Sequence, residues 1–357
     1  MERKPTLALI VDAPGWAFDI AAHIIQNQVK EIFDTTILYS KTETYQDDLY
    51  SILKEVENSD VIHFFWRKTL LQILSEEFKE RCQQDNIDYK QYVNQLKPKL
   101  STGVYDHLFI EDKQYQELFE KACHQYVVSS KKLFTIYNCL PGYPKPYGVL
   151  GDTFEKEFFY PQKEERFELK NIQNRRLVIG WVGNSNWNSS LTDEKGNPID
   201  FKGYHTIVKP VLEDLIQQGY EIQIELADSS KKIIPNHQMQ DYYNKIDIYL
   251  CASIVEGTPK PLLEAMACGV PVITTDVGVA KEVLGKEQQK KIIGERKIGQ
   301  LEIDNQIREK LKEKIVELYQ NREILQVLHK ENKKMAQQID DEAMGRKYRN
   351  YFQSFLE

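Results

Sequence analysis

Glu256-Gly257-Thr258-Pro259-Lys260-Pro261-Leu262-Leu263-Glu264-Ala265-Met266-Ala267-Cys268-Gly269-Val270-Pro271-Val272-Ile273-Thr274-Thr275-Asp276 reads as a loop, a short helix, a tight turn and a buried strand. Pro261 suits the start of a helix, where a missing N–H costs nothing, and Gly269 with Pro271 just beyond makes a left-handed stop followed by a breaker. The helix is therefore about two turns long. Glu256 sits in the loop before it and Glu264 near its first turn, so two carboxylates flank a helix start whose unpaired N–H groups can hold an anion. Folding alone gives no reason for two acids there.

Upstream of this stretch, strand and helix alternate. Leu177 to Val182 reads as a strand, Tyr204 to Gln217 as a helix, Ile222 to Ala227 as a strand, Met239 to Lys245 as a helix and Ile248 to Cys251 as a strand. Val270 to Thr275 closes the series, followed by the helix Ala280 to Leu284. The same alternation occurs nearer the N-terminus. Leu7 to Asp12, Thr35 to Tyr39, Val61 to Trp66, Leu100 to Tyr105 and Gln125 to Ser129 are short apolar runs of the kind buried on both faces of a parallel sheet. Between them, Phe18 to Gln28, Leu70 to Leu96 and Tyr115 to Cys123 read as helical. Two such series predict open, mostly parallel sheets with helices on both faces.

Between the two series, Asn138 to Pro161 is broken by Pro141, Pro144, Pro146, Gly142, Gly148 and Gly151, and is expected to be the interdomain linker. The expected domains are residues 1–150 and 151–340, with a last helix over 341–357. That helix carries Tyr348, Tyr351, Phe352 and Phe355 at roughly helical spacing. Such a stripe needs a surface, and docking on the N-terminal domain is expected over a membrane surface, since the polar face is not strongly basic.

The 357 residues carry a formal net charge of −7, which argues against nucleic acid as the main partner, because neutralising phosphates requires a basic face. The five cysteines show no C-x-x-C spacing, so neither a zinc site nor a disulfide framework is expected. The apolar run at Leu7 to Val11 is too short for a signal peptide core, and no run is long enough to span a bilayer. A cytoplasmic location follows, with peripheral contact at the inner membrane face left open.

With these residues in place, the stretch Glu256 to Thr275 resembles the E-x(7)-E signature of the retaining GT-B glycosyltransferases of family four, nearly over its whole length. Gly148-Val149 with Asp152, Phe158 and Pro161 is similar to the strand exit joining the family's two domains, and Lys202-Gly203 resembles the Lys-Gly opening the first helix of its donor domain. The resemblance implies an α/β chain of GT-B architecture, two Rossmann-like domains with parallel sheets facing across a cleft. The first would bind an acceptor and the second a nucleotide-sugar. It implies an enzyme of the hexosyltransferase type that moves a sugar with retention from a nucleotide-diphosphate sugar, a UDP-sugar, to a glycan or lipid-linked acceptor, in surface polysaccharide or glycoconjugate synthesis. No further cofactor is implied.

The chemistry can be read beside the resemblance. A nucleotide-sugar presents a diphosphate, a ribose diol and a hydroxylated sugar, and so needs cations or aimed N–H groups at one end and acceptors at the other. Lys202 supplies a cation, and the helix opening near Lys260 supplies amides, those of Gly257, Thr258, Lys260 and Leu262, since Pro259 and Pro261 have none. A helix end alone stabilises an anion by roughly 0.3 to 2 kcal/mol, too little without the lysine. Glu264 is an acceptor that can take two hydroxyl donors, and the family's matching residue holds the ribose. Glu256, by resemblance, faces the donor sugar or its phosphate end. From position alone, Glu264 could equally be a helix-dipole partner and Lys202 a solvated lysine.

One departure stands out. The family's Gly-Arg-Leu after the first donor-domain strand is replaced by Gly183-Asn184-Ser185, and an insertion-like loop, Trp187 to Phe201, precedes Lys202. The diphosphate arginine is missing from its expected place; Lys260 or a loop residue compensates, or the diphosphate is held more weakly. Base contacts are expected near Asp228 to Ser230. No D-x-D occurs, so no metal clamp is readable, and Lys202 with amides would stabilise the leaving group. Glycoside hydrolysis is set aside, because a lysine and a helix start beside the acids suit a phosphate better than an alcohol.

In the N-terminal half, Gly15 with Trp16 follows the first strand and either lets backbone approach an acceptor or makes a simple turn. His63 and the pair Asp106-His107 are read at carboxyl ends of strands, where open α/β sheets bind ligands, and each is either an orienting group or a structural one. The family often has histidine before aspartate at the second place; here the order is reversed. Two other functions stay open: a nucleotide-sugar epimerase of the same architecture, and a non-catalytic nucleotide-sugar-binding subunit of a polysaccharide assembly complex.

Overall fold

In a computed structural model, which describes residues 3–41, 48–186, 188–192, 196–339 and 341–357, the chain forms two units. Residues 1–152 with 340–357 make the first and residues 153–339 the second.

The first unit holds five parallel strands, β1 (Thr6–Val11), β2 (Asp34–Tyr39), β3 (Val61–Phe64), β4 (Lys99–Val104) and β5 (Gln125–Val128), in the order β2-β1-β3-β4-β5. Successive side chains alternate between the faces: Ala8 and Ile10 of β1 enter one core, Leu7, Leu9 and Val11 the other. The second core also receives Tyr348, Tyr351 and Phe352 of the helix Asp341–Gln353, so the C-terminal aromatic stripe is buried within this unit. The region read as helical from Leu70 to Leu96 is divided into several helices. Ser75 Oγ accepts the N–H of Phe78 and Asp88 accepts that of Gln91, so two new helices are capped within it, and Asn86 between them turns left-handed at φ 57°.

The second unit holds β6 (Leu177–Gly183), β9 (Ile222–Asp228), β10 (Ile248–Cys251) and β11 (Val272–Thr274), all parallel, in the order β11-β10-β6-β9; between β6 and β9, β7 (Asn188–Thr192) and β8 (Pro198–Ile199) form a separate antiparallel pair. Tyr249 and Cys251 face one core, Ile248 and Leu250 the other. Burying each such apolar side chain contributes roughly 1.5–3 kcal/mol.

In each sheet the chain leaves its first strand toward one edge and later returns to the other side of that strand. The reversal falls between β1 and β3 in the first unit and between β6 and β10 in the second. At such a point, loops diverge from the carboxyl ends of neighbouring strands and leave a crevice between them. Among the described residues, no helix is long and apolar enough to cross a membrane.

Candidate functional site

The loop leaving β10 runs from Ala252 to Pro259 and carries Glu256; the helix Lys260–Ala267 follows, two turns ended by Gly269 at φ 71°. Neighbouring backbone braces the loop. Thr275, just past β11, donates its N–H to the Cys251 carbonyl at 2.8 Å and its hydroxyl to the Ser253 carbonyl at 2.7 Å. Ile254 N–H meets the Phe201 carbonyl at 3.0 Å. Gly278 has φ 49°, and a Cβ there would lie 1.9 Å from the Gly257 carbonyl oxygen, so only glycine admits this approach.

So held, Glu256 Oε1 accepts hydrogen bonds from Ser253 Oγ at 2.7 Å and from Lys202 Nζ at 2.5 Å. The two ionic residues are 54 apart in the chain, and meet at the crevice between β6 and β10. Burial works against the Lys202 charge, but the adjoining Glu256 carboxylate outweighs it and raises the pKa of the amine, so Lys202 is cationic throughout the neutral range. Gly183, at the end of β6, is part of this crevice: a Cβ there would lie 3.5 Å from Lys202 Cγ.

Glu264 is buried, 8% exposed, and its Oε2 accepts the hydroxyl of Tyr243 at 2.7 Å. Burial raises its pKa, while Tyr243 and the Lys260 charge pull the other way. One donor leaves a carboxylate with capacity for more. Tyr243 escapes the sequence reading; the available signal was a Tyr-Tyr pair on an apolar helix face, since a buried phenol needs a partner.

Other expected participants are differently engaged. The Leu262 N–H bonds the Pro259 carbonyl at 2.9 Å and closes the first helical turn, so this amide is not available to an anion. Lys260 is buried, 8% exposed. At the end of β9, Asp228 accepts hydrogen bonds from the backbone and hydroxyl of both Ser185 and Ser230; burial opposes its charge, yet these four bonds hold its pKa down to about 2. Asp228 thus ties the Gly183-Asn184-Ser185 turn to the β9 exit, and His205 Nε2 adds a bond to the Ser185 carbonyl at 2.7 Å. Of the insertion-like loop, Trp187 and residues 193–195 lie outside the described residues.

In the first unit, Gly15 has φ 74° and donates its N–H to Asp19 at 2.7 Å; Trp16 beside it is 53% exposed. His63 does not end its strand. It is 1% exposed, bonded through Nδ1 to Ser101 Oγ at 2.7 Å and ringed by Phe65, Tyr351 and Phe352, and burial lowers its pKa to about 3. A neutral histidine enclosed by aromatic rings is a core residue, which corrects the expectation of a reactive one. Asp106 and His107 do lie just beyond β4, but the Asp106 carboxylate is taken by the buried Arg67 at 2.6 Å and by the Leu108 N–H at 2.8 Å. The structure does not bring His63 and His107 to one exposed site.

Two units built on parallel sheets, with a pair of glutamates spaced by seven residues about a short helix and a lysine meeting the first of them, define the chain as a GT-B protein. Residues 230–335 match the family model of the glycosyl transferases group 1. The chain is 29% identical over 152 residues to TuaC of Bacillus subtilis (strain 168), a protein named for teichuronic acid biosynthesis and as a glycosyltransferase. That match covers 35% of this chain and 39% of TuaC, so the chain matches under two-fifths of the length of the curated relatives. Two solved structures share the fold over almost the whole chain. Anabaena HepE in complex with UDP and glucose superposes with a TM-score of 0.63 at 11% identity, covering 97% of this chain and 99% of that one. Sucrose-phosphate synthase from Thermosynechococcus elongatus gives 0.66 at 13% identity, covering 99% of each.

Proposed function

We propose that this protein is a retaining glycosyltransferase that takes a sugar from a nucleotide-diphosphate donor, with UDP-sugars as the first class to test, and passes it to a glycan or lipid-linked acceptor in surface polysaccharide synthesis. The observation that carries this reading is the meeting of Lys202 with Glu256 beside Glu264. The complexes named for HepE support UDP as a probe, and the name of TuaC supports the polysaccharide setting.

An ammonium has three donors, so Lys202 can keep Glu256 and still give two hydrogen bonds to a diphosphate. Its charge would then stabilise the leaving group as negative charge develops there. Glu264, oriented by Tyr243, would accept the ribose hydroxyls, and Glu256 would face the donor sugar. In the transfer, the bond from the anomeric carbon to the phosphate oxygen breaks, the bond to the acceptor oxygen forms on the same face, and the acceptor proton passes to the departing phosphate. No protein nucleophile takes part. In the first unit, Gly15 and Trp16 are the residues proposed to meet the acceptor.

Incubation with UDP-sugars and an acceptor panel, read by mass spectrometry and by NMR of the anomeric proton, tests this. Transfer with retained configuration is expected; conversion of the donor without any acceptor would replace the reading by an epimerase, and tight UDP binding without turnover by a binding subunit.

A further inference from the structure

Arg296 is a buried cation of the second unit, and it cannot replace the phosphate arginine that the sequence lacks at its expected place. It is 4% exposed, and its five N–H donors are all engaged. Nε and Nη2 meet the two carboxylate oxygens of Asp304, each at 2.9 Å, and Nη2 also meets Thr206 Oγ1 at 3.0 Å. Nη1 meets the carbonyl of Ala252 at 2.7 Å and that of Asp200 at 3.2 Å. No donor is left for a phosphate.

The two carbonyls on Nη1 are informative. Asp200 lies two residues before Lys202, and Ala252 lies four before Glu256. Gly203, immediately after Lys202, packs on the same point: a Cβ there would lie 2.3 Å from the Ala252 oxygen and 2.7 Å from Nη1. Asp200 closes the arrangement by accepting the N–H and hydroxyl of Thr206 at 2.7 and 2.9 Å.

We propose that Arg296 is a positioning residue for the donor site: through one nitrogen it holds the carbonyls from which the loops bearing Lys202 and Glu256 depart, and so sets the distance between those two side chains. This rests on the glycosyltransferase reading only for its functional consequence; the coupling of the two loops stands on geometry. A planar fork is required, because a lysine amine cannot span two carbonyls, a hydroxyl and a carboxylate at once.

The test uses Arg296→Gln and Arg296→Lys, the second retaining the charge should the first fail to fold. Arg175→Gln serves as a control, since Arg175 binds Asp247 next to the amino ends of the same strands and its loss destabilises the unit without touching either loop. The first readout is the pH dependence of acylation at Lys202, followed by mass spectrometry, with Glu256→Gln as reference. In both Arg296 variants the Lys202 midpoint should fall, in the same direction as in Glu256→Gln, where burial is left unopposed, and in Arg175→Gln it should stay. The second readout is UDP affinity by calorimetry, expected to drop about tenfold in the Arg296 variants and not in the control. A Lys202 midpoint unchanged in both Arg296 variants, or moved equally in Arg175→Gln, would overturn the proposal. If the unaltered protein binds no UDP, the donor reading is what has failed, and the acylation profile, which needs no ligand, still decides the role of Arg296.

Discussion

The carboxyl ends of the strands in the two units carry similar residue types in opposite states. Beyond β10 of the second unit, capacity is left unused at both acids: Glu256 accepts from Ser253 and from Lys202, which has further N–H groups, and among the described residues Glu264 takes the Tyr243 hydroxyl alone. Around β3 and β4 of the first unit, His63 is sealed among aromatic rings and Asp106 is bound by Arg67 and backbone. A polar residue near a strand end is thus not a site until its partners are counted. In the second unit Lys202 and Glu264 keep hydrogen-bonding capacity, while His63 and Asp106 stabilise the fold.

The contrast can be broken at several points. The largest effect is expected from Arg67→Ala. It strips a partner from Asp106 within a mostly buried ion pair and should cost about 3 kcal/mol or more of stability in urea unfolding, while UDP affinity stays as it was. An equal loss of affinity would mean that the first unit's charges belong to the donor site.

Lys202→Ala should show the reverse, a rate roughly 10²- to 10³-fold lower with little change in melting. Full activity in that variant would remove the lysine from the leaving-group role. Gly278→Ala forces a side chain onto the Gly257 carbonyl at positive φ, and about 1–3 kcal/mol of destabilisation is expected together with weaker donor binding, because the Glu256 loop must shift. A variant as stable and as tight as the parent would show that the loop tolerates displacement.

The smallest effect concerns His63. Its folded pKa, about 3, lies below the ordinary 6.5, so the unfolded chain binds the proton first and stability falls as pH drops below 6.5 toward 3. Near pH 5.5 this amounts to roughly 1 kcal/mol, and His63→Leu should remove that part of the slope in unfolding followed against pH. A slope that His63→Leu leaves unchanged would contradict the assignment.

Legibility in the sequence followed the range of the interactions. Strands such as Ile248–Cys251 are short apolar runs buried on both faces, and the helix Lys260–Ala267 is bracketed by Pro261 and Gly269, so both could be read from neighbouring residues. The helices Leu49–Glu55 and Lys131–Cys139 could not, because each is too short for its periodicity to stand out, although Asp48 and Ser130 cap them. The break at Ser75 was lost for the same reason. In the site, the spacing of Glu256 and Glu264 is local and plain. Apart from Asp304, 8 residues on, the partners of Arg296 lie 44, 90 and 96 residues away, and Tyr243 lies 21 from Glu264, so nothing in the local pattern announces the long-range contacts. Asp106 and Asp228 carry the residue type of a ligand group; only the hydrogen bonds already made reveal how fully they are engaged.

Glu264, presented by a two-turn helix and oriented by Tyr243, is proposed to grip the donor's ribose beside the Lys202–Glu256 pair. Calorimetric titration of UDP into the parent protein and into Glu264→Ala tests it most directly. Binding to the parent and at least a tenfold weaker affinity in the variant are expected, consistent with losing a charged hydrogen-bonding partner worth about 1.5–3 kcal/mol, with the circular dichroism spectrum retained. Equal UDP affinity in the two proteins would contradict it.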